Sequence, residues 1–388
     1  MIVRSVFAAA AFLIAALMGS CMFVIARYRI PEQFTVFSMI VSNYGLYLIP
    51  LGLAGAGLAL LARFRAGRVM RWGGVLIALV CAAGVVAAGF PVVASWQDAD
   101  RAGATLSVKD YLKGGSNNGK PDERRSVAYN TIDGKDLLLD VKLPPGTPEQ
   151  PRAAVVWVHG GGFAEGDRGE GPKWHQWLND RGYAVFAVDY RLSPPPRWNE
   201  APADVKCAVG WVKQHAAAYL VDPERVMVIG GSAGGNLALM AAYAGEQVPP
   251  SCPVPDTSVK AVAAFYPAVD LAAMYSDPAL VSKVDTLARD YTGGTPGQVP
   301  DRYAAASPIT YVRQGLPPTL LIHGTRDHVV PYTQSVELVE RLKAVGVQYQ
   351  LQPIPYGEHA FDAGWGDWGT QISRHVLGEF MIKKFPAR

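Results

Sequence analysis

Residues 226–238, Val-Met-Val-Ile-Gly-Gly-Ser-Ala-Gly-Gly-Asn-Leu-Ala, constrain the fold of this chain more than any other stretch. The apolar run at 226–229 has the length of a buried strand. From Asn236 the pattern turns helical through Leu237, Leu239 and Met240. The turn between them holds Gly230-x-Ser232-x-Gly234. A strand that reverses this sharply into a helix forces its apex residue into an unfavourable backbone conformation and holds that side chain out. Side chains two positions away on either side would collide, so glycine serves there. The helix that follows directs unpaired N–H groups at the apex. Taken alone, the spacing fits a reactive serine and equally a glycine-rich turn with an incidental one, so the rest of the chain must decide.

The chain has 388 residues and a net charge of +3 without a basic stripe, which argues against nucleic acid as a partner. Its hydrophobic content of 50% is at the high end for a soluble protein, and the excess lies at the N-terminus. Residues 3–26, 34–62 and 72–96 are apolar runs, uncharged except for Arg4, long enough to cross a bilayer as helices. A cleaved leader ending at Leu17-Met18-Gly19-Ser20-Cys21 is disfavoured, because hydrophobicity continues past Cys21 through Val24 and Ile25. Three membrane helices are therefore expected within residues 1–96. Gly52, Gly55, Gly57, Gly84 and Gly89 suit close helix packing. No acid, lysine or histidine lies within the spans, so a transport pathway has no support.

Residues 97–125 are polar, with Gly-Gly-Ser-Asn-Asn-Gly at 114–119, and read as a flexible linker. From residue 126 onward apolar strands and helical stretches alternate. Strands are expected at residues 126–130, 136–143, 153–158, 183–188, 226–229, 259–265, 319–322 and 348–354, with Asp133-Gly134 turning the first hairpin. Helices are expected at 171–181, 203–219, 237–244, 333–344 and 370–385. The alternation predicts an α/β domain over residues 126–388, with a mostly parallel sheet covered on both faces. The segment 268–308 is long for a crossover. It is expected to form a lid in which Met274, Tyr275, Leu287 and Tyr291 face the site, with Trp198 or Trp365 adding walls.

In such sheets reactive groups gather beyond the carboxyl ends of the strands. The strand at 153–158 leads into His159-Gly160-Gly161-Gly162-Phe163, whose glycines let backbone N–H groups approach a developing oxyanion. The strand at 319–322 leads to Asp327, and the last strand to His359. A serine hydroxyl is a poor nucleophile until a base takes its proton, so His359 is assigned to Ser232. Asp327 is assigned to His359, whose tautomer it would fix. The N–H groups of Gly161, Gly162 and Ala233 are the candidate oxyanion donors. His328 adjoins Asp327 in one loop and is not expected to be the base. His159 and His323 are expected to brace loops, His175 and His215 to lie on helices, and Asp204 to tie down a loop. No Cys/His spacing suggests a metal, and no cofactor is expected. Cys21 and Cys81 lie in the spans. Cys207 and Cys252 stand on either side of the elbow strand, and their pairing depends on a Cα separation that spacing does not give.

Together these residues resemble the α/β-hydrolase superfamily, and within it the hormone-sensitive-lipase-like esterases and the related acetyl and feruloyl esterases. The resemblance covers residues 126–388. It rests on the 159–163 motif, Asp189-Tyr190-Arg191-Leu192-Ser193, Asp222-Pro223-Glu224-Arg225, the 230–236 elbow, the His323–Asp327 loop and Glu358-His359-Ala360-Phe361. It implies a serine hydrolase that acts on a small-molecule carboxylic ester through an acyl-enzyme. Two features depart from the pattern. Gly231 stands where many members have an acid, and membrane helices with a linker replace the usual N-terminal cap. The alternatives are an amide hydrolase, formamidase-like or peptidase, and a non-catalytic binding module on the same fold. A complete Ser232, Asp327 and His359 set with intact oxyanion glycines favours an enzyme over a binding module, and no β-propeller-like repeat precedes the domain, which lowers the peptidase option.

Orientation follows from arginines. Arg63, Arg65, Arg68 and Arg71 lie between the second and third spans, against Arg27 and Arg29 in the first loop and Asp98, Asp100 and Arg101 after the third. Positive short loops stay in the cytoplasm. This bias puts the N-terminus inside and, after three crossings, the α/β domain outside, which in a bacterial inner membrane means the periplasm. An alkaline-phosphatase fusion after Trp96 is expected to be active in a bacterial host. An inactive fusion, with a fluorescent cytoplasmic reporter at the same point, would reverse the assignment.

Overall fold

The computed structural model describes residues 2–27, 29–63, 67–277 and 283–387. Arg65 of the arginine-rich loop and residues 278–282 of the expected lid lie outside the described residues. The chain opens with α1 (Ile2–Ala26), α2 (Thr35–Ala62) and α3 (Arg68–Ala102). All three are long and apolar enough to cross a membrane, by length and composition. Phe12, Leu13, Leu53, Leu61, Leu76 and Phe90 are exposed on their outer faces, a distribution that suits lipid rather than water. Small residues line the contacts between them. A Cβ on Gly52 would meet Val85 at 2.6 Å, one on Gly55 would meet Ile14 at 2.5 Å, and one on Gly84 would meet Met18 at 2.6 Å. Gly57 and Gly89 differ from expectation and meet nothing within 4 Å. Gly74 lies against Ala59 while Gly52 lies against Val85 and Met18, so α2 runs antiparallel to both neighbours. At about 1.5 Å per residue α3 reaches roughly 50 Å, well beyond a hydrocarbon core of about 30 Å. Its last turns leave the bundle, with Ala99 buried against the α/β domain.

Residues 97–125 correct the expectation of a flexible linker. Residues 97–102 continue α3, and α4 (Val108–Lys113) follows, capped by Ser107 whose hydroxyl accepts from the Asp110 N–H. Tyr111 stacks on Trp368 at 4.4 Å and donates to the carbonyl of Asn43 in α2 at 2.6 Å. Ser116 bridges Gly364, and the buried Asn117 donates its N–H to Ala363 at 2.8 Å. The glycines that suggested flexibility permit contact instead. A Cβ on Gly114 would sit 2.1 Å from the Gly366 nitrogen, so only glycine lets the two backbones touch.

The α/β domain contains β1 (Ser126–Ile132), β2 (Lys135–Lys142), β3 (Arg152–Val158), α5 (Pro172–Asn179), β4 (Ala184–Val188), α6 (Glu200–Gln214), β5 (Val221–Gly231) and α7 (Ala233–Tyr243). It continues through β6 (Ala261–Phe265), α8 (Leu271–Tyr275), α9 (Lys283–Thr292), α10 (Pro300–Ala305), β7 (Thr319–Gly324), α11 (Thr333–Ala344), β8 (Tyr349–Ile354) and α12 (Trp368–Lys384). The sheet has 8 strands in the order β1-β2-β4-β3-β5-β6-β7-β8. The β1–β2 hairpin pairs antiparallel with β4, and β4 through β8 pair in parallel, as expected. The strands read as continuous apolar runs because both faces are covered. Val156, Val158 and Val228 share one buried cluster with side chains of α6 and α7, while Val155, Trp157, Met227 and Ile229 share the other with side chains of α5 and α12. Burying each such side chain contributes about 1.5–3 kcal/mol. In register, Val158 meets Gly230, Gly231 meets Phe265, Phe265 meets Ile322 and Gly324 meets Ile354. The carboxyl ends are therefore level, and the loops that follow them converge.

Cys207 of α6 and Cys252 of the loop after α7 form a disulfide, with Cα atoms 5.4 Å apart. Replacing both by serine is expected to cost about 2–4 kcal/mol, read as a thermal midpoint lowered by several degrees in detergent. A double variant that melts with the parent would show that this bond does not stabilise the domain.

Candidate active site

Ser232 stands at the apex between β5 and α7 with φ 55° and ψ −121°. Such a conformation in a non-glycine residue costs on the order of 1–3 kcal/mol and persists only where neighbours enforce it. Here the Ser232 N–H donates to Phe265 at 2.9 Å, and its carbonyl accepts from Asn236 at 3.0 Å. The flanking glycines are needed for space. A Cβ on Gly230 would lie 2.3 Å from the Gly234 oxygen, and one on Gly234 would lie 2.2 Å from the Val158 oxygen.

His359, on the loop after β8, joins the expected partners. Its Nε2 lies 2.8 Å from Ser232 Oγ and its Nδ1 lies 2.7 Å from Asp327 Oδ2. With a proton on Nδ1 facing the carboxylate, the Nε2 lone pair faces the hydroxyl. Asp327 is buried, and its Oδ1 accepts the N–H groups of Val329 and Val330, each at 2.8 Å. Burial alone would raise this carboxyl's pKa, but the charge of His359 and hydrogen bonds from His323 and His359 outweigh it and hold it below the usual range. It therefore stays an acceptor. Gly161 and Gly162 face Ser232 across the cavity, and Ala233 is the first residue of α7, whose N–H has no intrahelical partner.

The other histidines take supporting places. His159 stacks on Tyr190 at 4.3 Å. His323 bonds Ser335 and the Val330 carbonyl and lies 3.3 Å from Asp327. The α5 residue His175 is buried, 2.7 Å from Lys142 Nζ, and His215 stacks on Trp211. His328 pairs with Glu358 at 2.8 Å rather than with Ser232. Asp204 takes the Arg191 guanidinium through both oxygens, at 2.8 Å each, and so ties down the 189–193 loop.

Two cavities meet at Ser232. The larger, about 370 Å³, is lined by Gly160–Gly162 and His359 together with Asn117, Trp157, Glu170, Trp174, Tyr266 and Asp362. The smaller, about 40 Å³, is apolar, between Gly162, Phe163, Ala233, Met274, Leu287 and Val329. Met274 and Leu287 thus face the site as expected. Tyr291 instead stacks on Phe163 at 3.8 Å, and Tyr275 packs on Tyr303. The tryptophan walls are Trp157 and Trp174, not Trp198 or Trp365. Sequence reasoning missed Glu170 and Asp362. Asp362 accepts from Trp174 Nε1 at 2.9 Å and from the Tyr266 hydroxyl at 2.5 Å. Glu170 accepts the Gly160 N–H with both oxygens, at 3.0 and 3.1 Å. Asp362 had a faint signal, three residues past His359. Glu170, in a glycine-rich loop, had none.

The BD-FAE family model matches residues 139–342. The chain is 34% identical over 244 residues to Esterase LipC of Mycobacterium tuberculosis, covering 62% of this chain and 60% of that one. It is 32% identical over 234 residues to the probable carboxylic ester hydrolase LipM of the same organism, covering 59% of this chain and 54% of that one. The chain thus spans little more than half the length of these curated relatives. Among solved structures, esterase 2 of Thermogutta terrifontis in its apo form superposes with a TM-score of 0.58 at 28% identity, covering 69% of this chain and 98% of that one. Its propionate-bound form gives a TM-score of 0.56 at 28% identity, covering 68% and 95%.

Burial pushes the Glu170 carboxyl up from 4.5 to about 7; the Gly160 N–H opposes the shift, while Asp362 and Asp167 add to it. Between those values the folded chain keeps a proton that the unfolded chain has released, so this group makes stability fall as pH rises through that window. Glu170→Gln keeps an acceptor for Gly160 and removes the titration. Its thermal midpoint relative to the parent is expected to be more favourable near pH ~8 than near pH ~5. An equal difference at both would contradict the assignment.

Proposed function

The chain belongs to the BD-FAE family, and from that premise we propose that it is a serine hydrolase that cleaves carboxylic esters through an acyl-enzyme. One observation carries the reading: a single imidazole, His359, lies within hydrogen-bond reach of both a strained serine hydroxyl and a buried carboxylate. His359 takes the Ser232 proton as Oγ attacks the ester carbonyl, and Asp327 stabilises the imidazolium that forms. The N–H groups of Gly161, Gly162 and Ala233 receive the tetrahedral oxyanion, each worth roughly 3–4 kcal/mol of transition-state stabilisation. His359 then returns its proton to the leaving alcohol. In the second half-reaction it activates water against the acyl-serine, which restores Ser232 and releases the acid.

The two cavities favour a small acyl group and a larger, polar alcohol. The 40 Å³ apolar pocket beside Ala233 has room for a few carbons, whereas the 370 Å³ cavity offers Asn117, Glu170 and Asp362 among aromatic walls. Propionate binding by the Thermogutta enzyme supports the short acyl side. Helices α8 and α9 supply Met274, Val284 and Leu287 as a lid over that pocket. Helices α1–α3 anchor the protein in a membrane, and the α/β domain lies on the periplasmic side of a bacterial inner membrane. The arginines at the far end of the bundle support that side, as does the Cys207–Cys252 disulfide, which persists in oxidising compartments.

Ser232→Ala is expected to abolish hydrolysis of short-chain esters and labelling by an organophosphonate while the protein remains folded. His359→Ala should lower kcat roughly 10²–10⁴-fold, and His328→Ala far less. Labelling retained in Ser232→Ala would overturn the nucleophile, and equal losses from the two histidines would refute their ranking.

A further inference from the structure

We infer that Ser38, in the second membrane helix, is a positioning residue for hydrolysis, acting through Glu358 and His328 on the spacing of Asp327 and His359. The inference rests on the catalytic roles proposed above. Asp327 and His359 stand on separate loops, after β7 and β8, and must meet at 2.7 Å. One residue along on each loop is a second pair. His328 Nδ1 lies 2.8 Å from Glu358 Oε1, and the His328 N–H donates to Glu358 Oε2 at 3.3 Å. The two loops are therefore joined twice, once by the reacting groups and once by their chain neighbours. Glu358 is fully buried, and a buried carboxylate requires donors around it. A further donor is the Ser38 hydroxyl, from α2.

The same loops touch the bundle elsewhere. The Arg326 guanidinium reaches the Ile25 carbonyl of α1 at 3.5 Å and lies 5.3 Å from the Tyr356 ring centroid. Tyr356 packs on the cluster of Cys21, Val24, Ile25, Ile30 and Val41. Residues 326, 328, 356 and 358, which bracket Asp327 and precede His359, thus lean on α1 and α2 or join one another. Without the Ser38 hydroxyl, Glu358 loses a donor it cannot replace with water, and it shifts toward the donors that remain. Its neighbour His359 moves with it. Misplacing a catalytic group by about 1 Å can cost on the order of 100-fold in rate.

The test uses the full-length chain in lipid nanodiscs, with a short-chain nitrophenyl ester and an organophosphonate probe. Ser38→Ala is expected to lower kcat and the labelling rate together by roughly tenfold or more, with KM changed by less than about twofold. Ser38→Thr, which restores the hydroxyl, should recover most of the loss. Glu358→Gln, which keeps the side chain's size, should also lower kcat at near-parent KM, and it stands in if Ser38→Ala does not fold. Parent-like kcat in Ser38→Ala, with Ser232→Ala and His359→Ala inactive, overturns the positioning role and leaves the triad standing. A kcat loss that Ser38→Thr does not recover, matched by a fall in thermal midpoint, also overturns it, because the serine then serves only packing. Turnover in Ser232→Ala sinks the triad reading itself.

Discussion

A neutral imidazole has one donor and one acceptor, fixed on opposite sides of a rigid ring. It can link a hydroxyl and a carboxylate only if both arrive at about 2.6–3.2 Å, from loops that belong to different strands. In this protein Ser232 follows β5, Asp327 follows β7 and His359 follows β8. The three loops meet because β6 lies between β5 and β7 and because Gly231, Phe265 and Ile322 are in register. Both faces of these strands are buried under helices, so a slip of one residue would exchange the side chains packed on the two faces, and close packing on both sides is what resists it. The hydrogen bonds of the site are short, but the accuracy behind them is supplied by a core of valine, alanine and isoleucine.

That core also sustains features that are unfavourable by themselves. Ser232 sits at positive φ, and Asp327 and Glu358 are buried carboxylates. Each persists because its surroundings provide specific partners: backbone N–H groups for Asp327, His328 and Ser38 for Glu358. The loops around the site are fixed in the same way. Arg168, only 5% exposed, holds Asp140 at 2.7 Å and Asp189 at 2.6 Å, and Arg191 holds Asp204. Buried pairs of this kind add little net stability, yet removing one partner strands a charge, so they fix geometry strongly.

The strands were legible because each is a short apolar run closed by a turn residue, and Ser232, Asp327 and His359 were legible as candidates because each follows such a run. Helix starts were less legible. The elbow helix begins at Ala233 rather than at residue 237, since Gly234 and Gly235 are poor helix formers retained for close approach. The helix expected from residue 203 begins at Glu200, with Ala201 and Pro202 in its first turn, where a proline's missing N–H costs nothing. Glycine misleads in the opposite sense at 114–119, where the composition suggests flexibility but Gly114 and Gly119 permit close backbone contact. The least legible contacts join distant parts of the chain. Ser38 and Glu358 are 320 residues apart, and although Glu358 adjoins His359 in its motif, no local pattern marks Ser38 as its partner.

The attachment of the bundle follows from the same distant contacts. Among the described residues, the carboxyl end of α1, the first turns of α2 and the last turns of α3 all touch the α/β domain, through Ile25, Ser38 and Ala99. Ends that alternate in this way belong to an up-down-up bundle, so the amino end of α1 and the domain lie at opposite ends of it. Tyr111 of α4 adds a fourth tie, between Asn43 of α2 and Trp368 of α12. A tether would need only one connection, and it would leave Glu358 open to water. Here the contacts bury Glu358 against α2 and stand Asn117, from the segment after α3, in the wall of the larger cavity. The bundle and the segment after it are therefore structural parts of the site, and a change in how α1 and α2 pack reaches the loops of Asp327 and His359 through no more than two side chains.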